Sequence, residues 1–215
     1  EQKLPGGYNI VLLLSAAGHL NFAGATEWLA GTDIRLLDHI EFALCIDSIG
    51  SWEETGSLNL HISRPPKEER VGMFFDELES TAKSLNIPFE TSHKKINVSN
   101  PVVAWEHEQF SKRKIPAATL SAKKLGRTHL FDAGRIGDRK PTISTDAVVK
   151  VIKLIGDSLA KHIYNFHGKP MEVSQTGTSI TFWNQSLKLV GLKLVICLVP
   201  RFLERVAACK LMSHM

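Results

Sequence analysis

Cysteine is scarce in this chain: 215 residues hold only Cys45, Cys197 and Cys209, too few for a disulfide framework, and none sits in a C-x-x-C pair. Cys45 lies inside an apolar run and reads as a small buried hydrophobe, so the count leaves the redox compartment open. Strong charge is also missing. The formal charge of +4 is modest, and no arginine-rich stripe carries interleaved aromatics, which argues against a nucleic-acid surface. The pairs and triplets Lys94–Lys95, Lys112–Arg113–Lys114 and Lys123–Lys124 read as solvated faces. A long uninterrupted apolar run is absent as well. Leu187 to Val199 is apolar but carries Lys188 and Lys193 and stops at Pro200, whereas a spanning helix needs about twenty apolar residues. A central lysine adds about 2.5–3.5 kcal/mol to insertion, so a spanning helix there is disfavoured, and a membrane-active fragment is the weakest of the functional classes considered. No charged-then-apolar leader opens the chain; Glu1-Gln2-Lys3 running into apolar residues is expected of the interior of a larger protein.

What is present is ordinary globular composition, 43% apolar and 22% charged, with alternating strand-like and helix-like segments. Ile10–Leu14 and Phe42–Ile46 are short continuous apolar runs, as in strands buried on both faces; the first therefore reads as a central strand. Left without the strands that would precede it, such a strand presents an open, aggregation-prone edge. Phe22–Leu29 reads as a short helix. Leu58, Leu60 and Ile62 alternate with Asn59, His61 and Ser63, the mark of a strand with one polar face. After Pro65-Pro66, the residues Val71, Phe74, Phe75, Leu78, Ala82 and Leu85 line one helical stripe, stopped by Asn86 and Pro88. Phe89–His93 and Ile115–Leu120 read as strands, Val103–Lys112 as a short helix and 121–141 as a long loop. A second long helix covers Ser144–Phe166, with Ser144 as N-cap and Asp146 in its first turn. The order predicts an α/β fold, a mostly parallel sheet with helices on both faces. No repeat or low-complexity tract appears.

In an open parallel sheet, sites form beyond the carboxyl ends of the strands. The first such end, Ser15-Ala16-Ala17-Gly18-His19-Leu20-Asn21-Phe22-Ala23-Gly24-Ala25, resembles the zinc aminopeptidase pattern W-G-A-E-E-x-G-L-x-G-S. The second, Leu44-Cys45-Ile46-Asp47-Ser48-Ile49-Gly50, resembles that family's N-L-D-M-I-G. Trp105-Glu106-His107-Glu108-Gln109-Phe110 followed by Lys114-Ile115-Pro116-Ala117 is similar to S-D-H-x-P-F…G-I-P-A.

The resemblance implies an aminopeptidase-like fold, here incomplete, and it places Gly18 where the family has its general base and His19 where it has a metal-binding Glu. Glycine cannot take a proton from metal-bound water, and an imidazole at His19 supplies no replacement base. Asp47 keeps the position of a metal-binding Asp, with a turn-capping role as the plainer reading. The family's last histidine ligand corresponds to Gly134, and His129 lies out of register; the family's H-x-D motif would lie upstream of residue 1. Glu106, His107 and Glu108 sit one and two apart, so on a helix they do not share a face and do not chelate together. A zinc site needs at least three ligands in place, so the resemblance implies a pseudoenzyme with no metal and no cofactor. The alternative is a divergent zinc metallo-aminopeptidase using Asp47, His19 and His129.

Phe42–Gly50, His61–Pro66, His93–Asn97, Val103–Phe110, Arg113–Ser121 and Ile163–Asn165 are closest in kind to the nicastrin-like branch of that family. That branch implies a scaffold glycoprotein of the endoplasmic reticulum membrane, its domain in the lumen. It further implies a nodal modulator-type membrane protein and other translocon-associated subunits as partners, work beside the Sec translocon in multipass membrane protein biogenesis, and a link to Nodal signalling. On this reading residues 1–173 are the C-terminal part of a luminal domain, joined to the membrane through segments outside this chain, and 174–215 are a divergent tail. Asn97-Val98-Ser99 is a glycosylation sequon in a polar stretch, and Asn184-Gln185-Ser186 is a second one in the tail.

Overall fold

The computed structural model describes residues 7–18, 20–124, 144–164 and 193–200. Six strands form one sheet: β1 (Tyr8–Ser15), β2 (Phe42–Asp47), β3 (Leu58–Ile62), β4 (Phe89–His93), β5 (Ala117–Ser121) and β6 (Lys193–Pro200), in the order β1-β6-β2-β5-β3-β4. The helices are α1 (Ala23–Gly31), α2 (Ile34–Leu37), α3 (Trp52–Thr55), α4 (Glu69–Ser84), α5 (His107–Lys112) and α6 (Thr145–Tyr164). An α/β architecture with helices on both faces is therefore observed. One face packs α4 and α6 through Val71, Phe74, Leu78, Val151, Leu154 and Ile155; the other packs α1, α2 and α5 through Ala25, Leu29, Leu37 and Phe110.

The sheet is mixed, not mostly parallel. β2 pairs parallel with β5 and β3 with β4, but β6 is antiparallel to both β1 and β2, and β3 is antiparallel to β5. A parallel neighbour demands a crossover of a dozen or more residues. The link from β2 to β3 holds only a 3-10 turn (Ile49–Ser51) and the single-turn α3, and β3 comes back reversed against β5. The second correction concerns β1, which with β4 is one of the two edge strands among the described residues. Its Ile10, Leu12 and Leu14 stand half exposed, while Val11 and Leu13 pack against the α1/α5 side. The apolar edge anticipated from the sequence is thus present, on a strand with a covered and an open face.

The Leu187–Val199 run is described only from residue 193 onward. Its part within 193–200 is β6, whose Val195 to Val199 are buried between β1 and β2, and no helix among the described residues is long and apolar enough to cross a membrane. Part of the 174–215 segment is thereby built into the same sheet. The expected polar face of β3 also differs: Asn59 and His61 are buried beneath other elements and do not face water.

Local signals explain the helix ends. Ser144 caps α6, its Oγ accepting the Ala147 N–H at 3.2 Å. At the end of α4, Asn86 takes the left-handed conformation (φ 54°) and the Ile87 N–H returns to the Ala82 carbonyl at 2.9 Å. Pro116 lies one residue outside β5, so the strand loses no ladder donor.

Candidate functional site

β1, β2 and β5 run the same way, so Ser15, Asp47 and Ser121 finish at one end of the sheet. Here the chain leaving β1 makes a tight loop. Ala17, Asn21 and Phe22 all have φ between 57° and 58°, a left-handed setting that costs non-glycine residues of order 1 kcal/mol or more each. The loop holds through Leu20 N–H to Ala17 O (3.0 Å), Phe22 N–H to Gly18 O (3.3 Å) and Gly24 N–H to Ala16 O (3.2 Å). A Cβ on Gly24 would stand 2.6 Å from the Ala16 carbonyl oxygen, so this crossing accepts only glycine.

Long-range bonds clamp the loop to the 101–109 segment. Asn21 accepts the Val103 N–H (2.9 Å) and donates to the Pro101 carbonyl (2.7 Å), while Gln109 Nε2 donates to the Asn21 carbonyl (3.0 Å). Ser15 Oγ donates to Glu106 Oε1 at 2.5 Å, both residues buried.

The three consecutive polar residues at the start of α5 go in three directions. Glu106 meets Ser15 of β1, and His107 Nδ1 lies 2.8 Å from Thr119 Oγ1 of β5. Glu108 reaches back to accept the N–H groups of Ala104 and Trp105, each at 3.2 Å, which satisfies donors at the helix start. They do not converge, as helix geometry requires. Trp105 stacks on His61 of β3 with ring centroids 4.1 Å apart and planes 16° apart. His61 Nε2 is 2.9 Å from the Lys123 carbonyl, an acceptor only, so Nε2 carries the proton.

Burial governs the titration of this layer. It pushes His107 down to about 3, helped by the neighbouring His61, and lowers His61 against the opposing pull of the Lys123 carbonyl and Asp47. Both imidazoles are neutral at pH 7. Burial likewise raises Glu108, pushes the Cys197 thiol up to about 12 and holds Cys45 well above the usual thiol range, so neither cysteine serves as a nucleophile. The cavity between His61, Trp105, His107 and Glu108 measures about 10 Å³, room for at most one water and not for a substrate.

Asp47 is buried at the end of β2, where its carboxylate accepts the Ser48 hydroxyl at 3.0 Å. Gly18 is buried in the β1–α1 loop. The strands leading to them are not neighbours: β6 runs between, which sets their axes roughly 10 Å apart. His19, His129, Gly134, Cys209 and Asn184 lie outside the described residues. Among the described residues no three His, Cys, Asp or Glu side chains gather closely enough to hold a metal. With no side chain at Gly18 and Asp47 engaged by the next residue, the described residues at this end of the sheet do not by themselves make a zinc centre. Asn97 sits apart, exposed on the 94–101 loop, its Oδ1 accepting the Ser99 N–H at 3.0 Å.

No protein-family model matches the chain. Over 176 residues, 78% of its length, it is 35% identical to the protein of Canis lupus familiaris described as "BOS complex subunit NCLN". It is 38% identical over 157 residues, 69% of its length, to the protein of that description from Gallus gallus, and 28% identical over 176 residues, 73% of its length, to "Nicalin" of Caenorhabditis elegans. This chain is a relative of nicalin. It spans about 30% of the length of the dog and nematode nicalins and 27% of the chicken protein. Of the nicalin-like motifs, those on β2, on β3 and on the 103–121 stretch that carries Trp105, α5 and β5 are largely buried, whereas His93–Asn97 is largely exposed. Sequence reasoning named Glu106 and His107 but not their partners. Ser15 joins Glu106 and Thr119 joins His107 across the fold, as Asn21 joins Gln109, and these pairings leave no local spacing to find.

Proposed function

We infer that this chain is part of a non-catalytic, nicalin-like scaffold subunit of a membrane complex. Its relatives are described as subunits of a complex, and that description carries the reading. The geometry supports it: the family's base position is Gly18, Asp47 is absorbed by a turn, and the nearest cavity admits no more than one water. The finer reading puts the complex in the endoplasmic reticulum membrane beside the Sec translocon, with this domain in the lumen, a nodal modulator-type protein among its partners, and a role in multipass membrane protein biogenesis with a link to Nodal signalling. Residues 1–173, together with β6 of the same sheet, then belong to the luminal domain, and Asn97, exposed on its loop, is the glycan acceptor.

The test uses the full-length protein that contains this chain, expressed in cells. Co-purification with translocon subunits, together with a glycosidase-sensitive mobility lost in Asn97→Gln, is expected. Cytosolic recovery would overturn the placement. Saturable hydrolysis of aminoacyl-arylamides, abolished by chelator and by Asp47→Ala, would overturn the non-catalytic reading.

A further inference from the structure

The end of the sheet opposite the β1–α1 loop carries a groove of about 140 Å³ between the entry to α4 and the turn before β5. Its position follows from the register, because Ile62 at the end of β3 pairs with Ala118 near the start of β5. The walls are apolar and stiff: Pro65 and Pro66 on one side, Ile115 and Pro116 on the other, with Phe75 of α4 at the base. Proline walls are already ordered in the free protein, so little entropy is lost when something seats against them. The rim is basic. Arg64, Lys67 and Lys114 surround a single carboxylate, Glu68, and none of the four forms an ion pair or side-chain hydrogen bond with another described residue. Lys114 is held there by a backbone in the left-handed region (φ 66°).

The geometry points to this groove as the docking site for an acidic segment of a partner protein that presents one bulky apolar side chain. The volume takes one such side chain and falls below the few hundred Å³ of a typical small-molecule site. Three cations around it, unpaired among the described residues, select carboxylates on either side of that anchor. A second copy of this chain is a poor occupant, since the chain is itself net positive at +4. The inference rests on the scaffold reading only in taking the occupant to be a protein.

A fluorescein-labelled peptide Asp-Glu-Asp-Phe-Glu-Asp-Glu serves as probe, with a version bearing Ser in place of Phe and vesicles of anionic phospholipid as comparisons. The 215-residue chain should bind the Phe peptide by fluorescence anisotropy, more weakly as salt rises. The triple variant Arg64→Glu, Lys67→Glu, Lys114→Glu, whose positions are all exposed, should bind about tenfold more weakly while melting at an unchanged temperature. Replacing Phe by Ser should weaken binding comparably, a readout that asks nothing of the variant's folding. No binding, binding indifferent to both changes, or binding to vesicles without preference for the peptide would each overturn the proposal. Cleavage of the probe would sink the non-catalytic reading alone; sensitivity to charge reversal decides the groove in either case.

Discussion

Where β1, β2 and β5 end, polar side chains are numerous and committed: Ser15 to Glu106, Asn21 to the 101–109 segment, His107 to Thr119, Asp47 to Ser48. Where β3 ends, the cations Arg64, Lys67 and Lys114 stand around an open apolar groove with no ion-pair partner among the described residues. The first end uses its polar groups to hold loops to the sheet. The groups of the second remain available. Buried polar networks add rigidity only when fully satisfied, whereas exposed charges contribute little to stability and much to association. In this chain the end with the more numerous polar side chains is the one tied together by bonds across the fold.

The comparison breaks most sharply at Trp105. Truncating this buried, stacked side chain by Trp105→Ala should cost about 3–5 kcal/mol and is checked by urea unfolding. A loss under about 1 kcal/mol would show the α5 layer to be loosely packed.

Acid provides the next test. An unfolded His107 takes up a proton near 6.5, but the folded one does so only at about 3. Between those values the unfolded state binds more protons, so stability falls as pH drops through the window, by an amount on the order of a few kcal/mol at its lower end. His61 acts in the same sense, and Glu108, raised by burial, in the opposite one below pH 7. Unfolding midpoints at pH 7 and 5.5 should therefore differ, and His107→Gln should flatten the slope. An unchanged slope in that variant would mean His107 is protonated in the fold.

Gly24→Ala forces a methyl against the Ala16 backbone and should cost about 1–3 kcal/mol, with faster amide exchange in the β1–α1 loop. The smallest effect belongs to the other end. Lys67→Ala should change stability by less than about 0.5 kcal/mol, and a larger loss would mean that the groove rim is structural after all.

How much of this was legible depends on the range over which each cause acts. α4 and α6 announce themselves through stripes such as Val71–Phe74–Leu78 and Val151–Ile155–Leu159, and Ser144 through its place before the stripe. The helix near Val103 was expected too early, because Asn21 takes the Val103 N–H from across the fold and Glu108 reaches back to the N–H groups of Ala104 and Trp105. β3 was read with a wet polar face, since nothing near His61 tells that Trp105 will stack on it. The Leu187–Val199 run has the composition of a buried strand and of a membrane segment alike. Only its pairing with β1 and β2 decides in favour of the strand. At the site, Gly18 and Asp47 were legible as positions in a motif, while their isolation from each other by β6 was not.

That inserted strand carries a consequence for synthesis. Tyr8 lies beside Pro200, and Phe42 beside Leu198. A ribosome delivers residues 8–47 long before their hydrogen-bonding neighbour, so both strands must wait with apolar flanks uncovered until almost the whole of these 200 residues has emerged. Pairing at such separation is slow and leaves a period in which nascent chains can capture one another. Closure of this sheet therefore waits for residues 193–200, and a holding chaperone acting on β1 and β2 in that interval would raise its yield.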